Sequence, residues 1–261
     1  MYAPGISNMF SFGLRQLAQN QEQLQTSLER LATGKRVNRA ADDPSAIIPI
    51  EDHKAEIYSL NKELDALGQQ TGFLGAKEGG LSVVSDLMIE LESLAVQAAN
   101  SAGNSDEELR AYQRQADSIL AGIDNIARTT TFKGESVLKE YTTNALDEDL
   151  RSFASLLADN PSKAQEVAKD AAKKVSTTRG AIGNQLKSID TRQNVIATNL
   201  EGLNASLSSI QDTDYAAETA KLVRSQILES ATIAAIDISR QSANQVLDLI
   251  KQSTQFVPAK S

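Results

Sequence analysis

The chain has 261 residues, which is enough to bury a sizeable core and allows one large domain or two small ones. Apolar residues make up 41% of it, aromatic residues only 4%, and tryptophan is absent. A core built mainly from Leu, Ile, Val and Ala favours long packed helices. With no cysteine and a single histidine, His53, the chain has no disulfide, no thiolate metal site, no cysteine nucleophile and no pair of histidines for zinc.

The net charge of −8 argues against a nucleic-acid partner, because binding to phosphates depends on basic surfaces. No apolar run approaches the ~20 residues of a transmembrane helix, so we predict no membrane partner. The first residues lack a basic segment followed by an apolar one, which is the pattern of a conventional secretory signal. If the protein is exported, we therefore expect another route.

The first predicted helix has apolar residues spaced alternately by three and four, the pattern of a coiled coil. This row of residues runs from Phe10 to Leu31 and stops at Gly34, a residue suited to a helix C-terminus. Residues 35–43 are expected to be irregular. Asp42 or Asp43 can then cap the next helix, with Pro44 near its first position.

A second apolar row runs from Ile57 to Leu81 and continues loosely to Ala98. Four glycines are expected to interrupt this row. They are Gly72, Gly75, Gly79 and Gly80. A loop is predicted over residues 100–106 and a third row over residues 109–126. Residues 129–134 are then predicted to form a short strand and a turn.

Residues 139–161 carry the weakest pattern, and one short helix is predicted there from four apolar residues. They are Leu150, Phe153, Leu156 and Leu157. The clearest row of all runs from Ile182 to Ile210, and residues 212–214 can cap a last helix from about Tyr215 to Ile250. The sequence predicts a mainly α fold in which long coiled-coil helices pair the N- and C-terminal regions, with a small β-hairpin or turn element in the middle.

Residues 1–34 have one apolar row flanked by glutamines and no second apolar face. A lone amphipathic helix of this kind is marginal in water until another surface covers its apolar stripe. We expect the cover to be the matching terminal helix, residues 216–250, or copies from neighbouring subunits. The predicted assembly residues are Leu14, Leu17, Leu24, Leu28, Leu31, Ile189, Ile196, Leu200, Leu203 and Leu207.

Three motifs stand out in the sequence. The first, LATGKRVNRAADD at residues 31–43, resembles the N-terminal signature of the bacterial flagellin family. Residues 210–220, IQDTDYAAETA, followed by SQIL at 225–228 and ANQVL at 243–247, resemble its C-terminal part. The third motif is LAVQAAN at 94–100, followed by Ile123, Asp124 and TFKG at 131–134. The motifs stand in the order of the family, and the resemblance covers nearly the whole chain apart from about residues 140–165.

This resemblance implies a structural subunit, without enzymatic activity or cofactor, that polymerises with itself into the extracellular flagellar filament and transmits motor torque for swimming. It implies an inner terminal coiled-coil domain of residues 1–44 and 212–261 and an outer helical rod domain of residues 45–211. Residues 140–165 would be a vestigial variable region. The connector between the domains would include Gly34, Asn38, Asp42 and Asp43, which match the pattern of the family.

The resemblance also implies partners. Flagellar cap and hook-associated proteins would meet the polymer, and the flagellar type III apparatus would export the unfolded chain. A cytoplasmic export chaperone would mask the C-terminal segment. The residues assigned to the chaperone on this basis are Leu222, Ile227, Leu228, Val246, Leu247 and Ile250.

Two alternatives stay open at this point. The run Asp42-Asp43-Pro44 is closer to the hook–filament junction protein, a paralogue of flagellin, although residues 212–220 favour flagellin itself. A soluble helical scaffold domain would show the same apolar rows, but its terminal helices would be stably folded in the monomer. An enzyme has no basis in the sequence, since the HExxH, GxxxxGK[ST] and GxGxxG patterns are all absent.

Overall fold

The computed structural model describes residues 4–100, 105–146 and 148–255, in which helices, one small sheet and short connecting segments alternate. The helices are α1 (Pro4–Thr33), α2 (Pro44–Ala99), α3 (Asp106–Thr129), α4 (Thr143–Leu146), α5 (Phe153–Asp159), α6 (Pro161–Gln211) and α7 (Tyr215–Gln255). Two 3₁₀ turns lie at Lys139–Tyr141 and Asp149–Ser152. The predicted mainly α fold is confirmed. Of the loop predicted over residues 100–106, residues 101–104 lie outside the described ranges.

The chain divides into two compact units, residues 1–57 with 201–261 and residues 58–200. Each unit has an apolar cluster of its own. In the first unit α1 packs along α7, and the two helices are antiparallel because Asn20 bonds Thr232 while Ser27 bonds Glu218. The division into an inner and an outer domain at residues 44/45 and 211/212 stays a prediction.

The unit of residues 58–200 holds the larger core, to which the weakly patterned segment contributes heavily. Leu150, Phe153 and Leu157 are all fully buried in it. The single short helix predicted here is instead a 3₁₀ turn at Asp149–Ser152 that leads directly into α5. Arg179 and Arg192 add ion pairs to Glu78 and Glu63 within the same unit.

The predicted strand and turn are confirmed as a two-strand antiparallel hairpin, β1 (Thr131–Phe132) and β2 (Glu135–Ser136). Its two-residue turn has positive φ at both positions, 53° at Lys133 and 86° at Gly134. This is the requirement of a type I′ turn, which glycine meets without strain. Ser136 Oγ donates a hydrogen bond to the carbonyl of Ala127, which ties the hairpin to the end of α3.

The four glycines predicted to interrupt the apolar row lie within α2, which is continuously helical from residue 44 to 99. Two of them allow the hairpin region to approach closely. A Cβ at Gly72 would lie 3.0 Å from Phe132, and one at Gly80 would collide with Leu138 Cδ1. The packing gained there offsets the cost of glycine in a helix.

Replacing Gly80 with alanine is expected to destabilise the unit of residues 58–200 by about 1–3 kcal/mol, the usual cost of forcing extra atoms into a packed core. The neighbouring Gly79 is a matched control, since nothing lies within 4 Å of its Cβ position. Gly79→Ala should stabilise the helix by up to ~1 kcal/mol. Urea denaturation of the two variants measures both effects, and equal midpoints would contradict the close packing at Gly80.

Candidate assembly interface

The face of α7 that meets α1 follows a regular heptad. Its members are spaced alternately by four and three residues, and all of them are buried or half-buried. They are Glu218, Leu222, Ser225, Glu229, Thr232, Ile236, Ser239 and Ala243. Every other residue of α7 between 215 and 249 is exposed. The inward face of α7 is therefore largely polar, unlike that of an ordinary coiled coil.

The face of α1 that meets α7 differs from the predicted row at every second position. Along this face Gly13, Leu17, Asn20, Leu24, Ser27 and Leu31 are spaced alternately by four and three residues, and all six are buried or half-buried. Of the predicted residues, Leu17, Leu24 and Leu31 meet α7, whereas Leu14 and Leu28 are exposed. The two helices touch closely at Gly13, where a Cβ would lie 2.9 Å from Ile236 Cγ1.

Polar side chains pair across this helix contact. Asn20 Nδ2 donates to Thr232 Oγ1 at 3.3 Å, and Gln21 Nε2 donates to Glu229 Oε1 at 3.1 Å. Ser27 Oγ donates to Glu218 Oε1 at 2.7 Å. Because these bonds replace bonds to water, they stabilise the pair only modestly, by about 1 kcal/mol each.

Glu218 is the most buried carboxylate of the helix pair, with 3% of its surface exposed. Lys221 Nζ lies 3.0 Å from its carboxylate and Arg30 Nη1 lies 3.9 Å from it. Burial raises the pKa of Glu218, but the hydrogen bonds from Ser27 and Lys221 and the charges of Lys221 and Arg30 outweigh it and hold the pKa below its ordinary value.

Acid is expected to loosen the contact between α1 and α7 through Glu218. Because its pKa is lowered in the folded pair, its contribution is complete above the ordinary glutamate value, about 4.3, and is lost as the pH falls through the lower folded value. Limited proteolysis within α1 and α7 between pH 7 and pH 3 measures the effect. Glu218→Gln should pair more weakly at pH 7 and show a flatter profile, and identical profiles would contradict this role.

Many large apolar side chains of α1 and α7 are left exposed. In α1 they are Phe10, Phe12, Leu14 and Leu28. In α7 they are Tyr215, Val223, Ile227, Leu228, Ile233, Ile238, Val246, Leu247 and Leu249. Single exposed apolar residues are normal on a protein surface, but this density on two adjoining helices is typical of a surface that binds another protein.

Backbone bonds in the connector join the chain before α2 to the chain before α7. Gly34 has φ of +72°, and its carbonyl accepts from Thr213 N at 2.9 Å. Lys35 forms an antiparallel bridge with Asp212, and Arg36 N donates to the carbonyl of Gln211 at 2.7 Å. A side chain at Gly34 would meet the hydroxyl of Tyr215 at 3.0 Å, so both space and backbone favour glycine.

The other three connector residues hold its turns. Asn38 Nδ2 donates to the carbonyl of Lys35, and Asp42 Oδ2 accepts from the backbone amides of Asn38 and Arg39. Those backbone hydrogen bonds lower the pKa of Asp42. Asp43 caps α2 by accepting from Ala46 N and from Ser45 Oγ, and the bond from Ser45 lowers its pKa.

The predicted assembly residues on α6 are not part of the α1–α7 surface. Ile189 and Ile196 are buried inside the subunit, and Leu200 is half-buried in the same unit of residues 58–200. Leu203 is half-buried, and Leu207 packs against the small cluster of Val37, Ala46 and Ile50. Ile189 and Ile196 therefore stabilise the subunit itself.

The residues assigned to an export chaperone differ in accessibility. Ile227, Leu228, Val246 and Leu247 are exposed, whereas Leu222 is half-buried against α1. The side chain of Ile250 lies outside the described part of the structure.

His53 is half-buried on α2, and its Nε2 shares a 3.0 Å hydrogen bond with Ser206 Oγ. In the described ranges no three His, Asp or Glu side chains are grouped so as to hold a metal ion. Over the same ranges, every helix is too short or too polar to cross a membrane. The candidate functional features of the described residues are therefore the contacts between helices and the exposed apolar faces.

Two family models match the chain. The bacterial flagellin N-terminal helical region matches residues 7–143, and the bacterial flagellin C-terminal helical region matches residues 166–250. The stretch left between them, residues 144–165, overlaps the weakly patterned segment of residues 139–161 and includes Leu150, Phe153 and Leu157 of the larger core.

Similar proteins cover nearly the whole chain. The flagellar filament 30.7 kDa core protein of Treponema maltophilum is 26% identical over 280 residues, covering 93% of this chain and 98% of that protein. Flagellin FlaB2 of Treponema pallidum is 25% identical over 283 residues, covering 94% and 98%. A flagellin of Listeria innocua is 23% identical over 271 residues, covering 90% and 94%.

Proposed function

The chain belongs to the bacterial flagellin family and is a structural subunit of the extracellular flagellar filament, and we propose that the exposed apolar faces of α1 and α7 join its subunits. One observation carries this proposal. The positions where α1 and α7 face each other hold polar residues such as Asn20, Ser27 and Glu218, whereas large apolar side chains of both helices are exposed to water.

Burial of this surface between subunits supplies the free energy of assembly, at about 25 cal/mol for each Å² of apolar area removed from water. The α1–α7 pair alone is held by polar bonds and a few leucines, so it is marginal in the free subunit and becomes ordered when neighbours cover it. A contact between unlike surfaces that does not close on itself produces an open helical polymer. That polymer serves motility by carrying torque along the filament.

The domain organisation forms part of this proposal. Residues 1–44 with 212–261 act as the inner domain, residues 45–211 as the rod, and residues 140–165 stand where a variable outer region would be. Gly34, Asn38, Asp42 and Asp43 support a defined connector, because each makes a turn, a cap or a close approach there. No catalytic role is proposed for the chain.

We also propose that the subunit meets flagellar cap and hook-associated proteins at the filament ends and that it leaves the cell through the type III export apparatus. Before this export, a cytoplasmic export chaperone binds α7. The exposed side chains of Ile227, Leu228, Val246 and Leu247 support this assignment. Replacing both Val246 and Leu247 with aspartate should abolish capture of the full-length subunit by the chaperone. Undiminished capture would contradict the assignment.

Electron microscopy of the purified protein tests the main proposal. Filament seeds and a precipitating salt are added, and samples are imaged in negative stain before and after. We expect long uniform tubes with a central channel. Persistent monomers would favour the hook–filament junction protein, and monomers with protease-resistant termini would favour a soluble scaffold.

A further inference from the structure

The two long edges of the α1–α7 pair differ in shape. One edge carries a groove of about 360 Å³ between the helices, and several of the residues that line it are small. Its lining includes Phe12, Gly13, Leu228, Ala231, Ala235 and Ser239, which we call the apolar groove. Phe12 and Leu228 are both exposed to water beside it.

The other edge carries a row of bulky apolar side chains. Phe10, Leu14 and Leu28 of α1 share one helix face with Gln21, because they are spaced by four, seven and seven residues. Gln21 bonds Glu229, and Ile233 lies one turn beyond Glu229 on α7. Phe10, Leu14, Leu28 and Ile233 are all exposed, and we call them the outer row.

We propose that the apolar groove of one subunit receives the outer row of a second copy of this chain. This inference rests on the proposed function and adds to it which surface meets which. Two grooves facing each other would leave a void between small residues, and two outer rows facing each other would crowd bulky ones. A groove against a row fills the space at the density of a protein interior.

The repeating contact follows from this asymmetry. Because groove and row lie on opposite edges of the same helix pair, each subunit offers one of each, and the contact is heterologous. Farther along the same edge the groove becomes charged, lined by Arg30, Lys221 and Arg224 among others. An apolar row therefore inserts only at the end near Phe12, which limits how far neighbouring pairs can shift along each other.

Gly13 and Ala235 determine the fit. Both residues line the groove, so a side chain at Gly13, which would press on Ile236, or a larger one at Ala235 would take up space in it. Ala235 is exposed and does not belong to the face that packs on α1, so it can be changed without disturbing the pair within the subunit.

Disulfide trapping tests the proposal, and the absence of natural cysteine makes each introduced cysteine unique. Subunits with Ala235→Cys and ¹⁵N-labelled subunits with Leu14→Cys are copolymerised, oxidised and examined by mass spectrometry. The experiment is repeated with Phe10→Cys, Leu28→Cys and Ile233→Cys. Since each chain has one cysteine, a disulfide can only join two subunits.

We expect disulfide-linked dimers between Ala235→Cys and at least one outer-row variant. Ser230→Cys, on another face of α7, is the matched control and should give no such dimers. Filaments that yield no dimers, or only dimers of like variants, would overturn the inference while leaving the proposed function intact. Failure of the unsubstituted protein to form filaments would instead overturn the proposed function.

A growth assay gives a second readout. Ala235→Trp subunits have a filled groove and an intact outer row, so a small fraction of them added to unsubstituted protein should shorten the filaments. Ser230→Trp is the control and should leave the length unchanged. Circular dichroism of each variant verifies its helix content. Equal filament lengths with the two variants would overturn the inference.

Discussion

A variant in which both Ile227 and Ile238 are replaced by aspartate is expected to form no filaments, while its folded subunit stays as stable as the unsubstituted one. Both side chains are more than 60% exposed in the single chain, so a charge there costs little before assembly. In the filament each of the two charges would be buried without a partner, a change that typically costs about 3–5 kcal/mol, here twice per subunit. Sedimentation of polymer after seeding measures the loss, and urea denaturation measures subunit stability.

The matched control for this variant is aspartate at Ser230 and Gln241, two exposed polar positions of the same helix. These changes add the same charge to α7 but remove no apolar surface. They should leave a measurable fraction of the protein in filaments. If the Ile227 and Ile238 variant polymerises as well as this control, the outer face of α7 is not an assembly surface.

Phe153→Ala is expected to destabilise the unit of residues 58–200 by about 3–5 kcal/mol, the usual range for deleting a fully buried aromatic side chain. Phe153 has no exposed surface and lies in the main core with Leu150 and Leu157. Arg151, an exposed neighbour, is the control, and its replacement by alanine should change stability by less than ~0.5 kcal/mol.

Thermal and urea unfolding of these two variants measure the difference. A small effect of Phe153→Ala would mean that residues 144–165, which lie between the two family matches, are dispensable for the fold. A large effect would show that this stretch contributes to the stability of the core, even though its sequence carries only a weak helical pattern.

The long helices were predictable from sequence because their apolar residues recur at helical spacing over many turns. The C-terminal end of α1 and the start of α2 were also predictable, since Gly34, Asp43 and Pro44 are strong boundary residues and lie at those boundaries in the structure. The hairpin followed from a short β-branched run before Lys133 and Gly134. In each case local chemistry and the overall fold agree.

The inward face of α1 could not be found by counting apolar residues. The richest row includes Leu14 and Leu28, but the structure places Gly13, Asn20 and Ser27 against α7. Only the partner helix decides this, because close approach at Gly13 and hydrogen bonds to Thr232 and Glu218 depend on residues more than 190 positions away. A row of leucines on one helix thus predicts a contact without saying whether the contact lies within the subunit or between subunits.

The packing role of the glycines in α2 could not be predicted from sequence for a related reason. Glycine weakens an isolated helix, so by themselves Gly72 and Gly80 predict only an interruption of the apolar row. In the folded unit, Phe132 and Leu138 pack where a side chain at those two positions would lie. Tertiary packing therefore overrides the local preference at these sites.

Hydrogen exchange of the backbone amides, compared between free subunits and filaments, tests most directly whether α1 and α7 are the surfaces that assembly covers. We expect the amides of both helices to exchange at least about tenfold more slowly in filaments, which corresponds to ~1.4 kcal/mol of added protection. The buried core of residues 58–200 should be protected similarly in both states. Equal protection of α1 and α7 in subunit and filament would contradict the account.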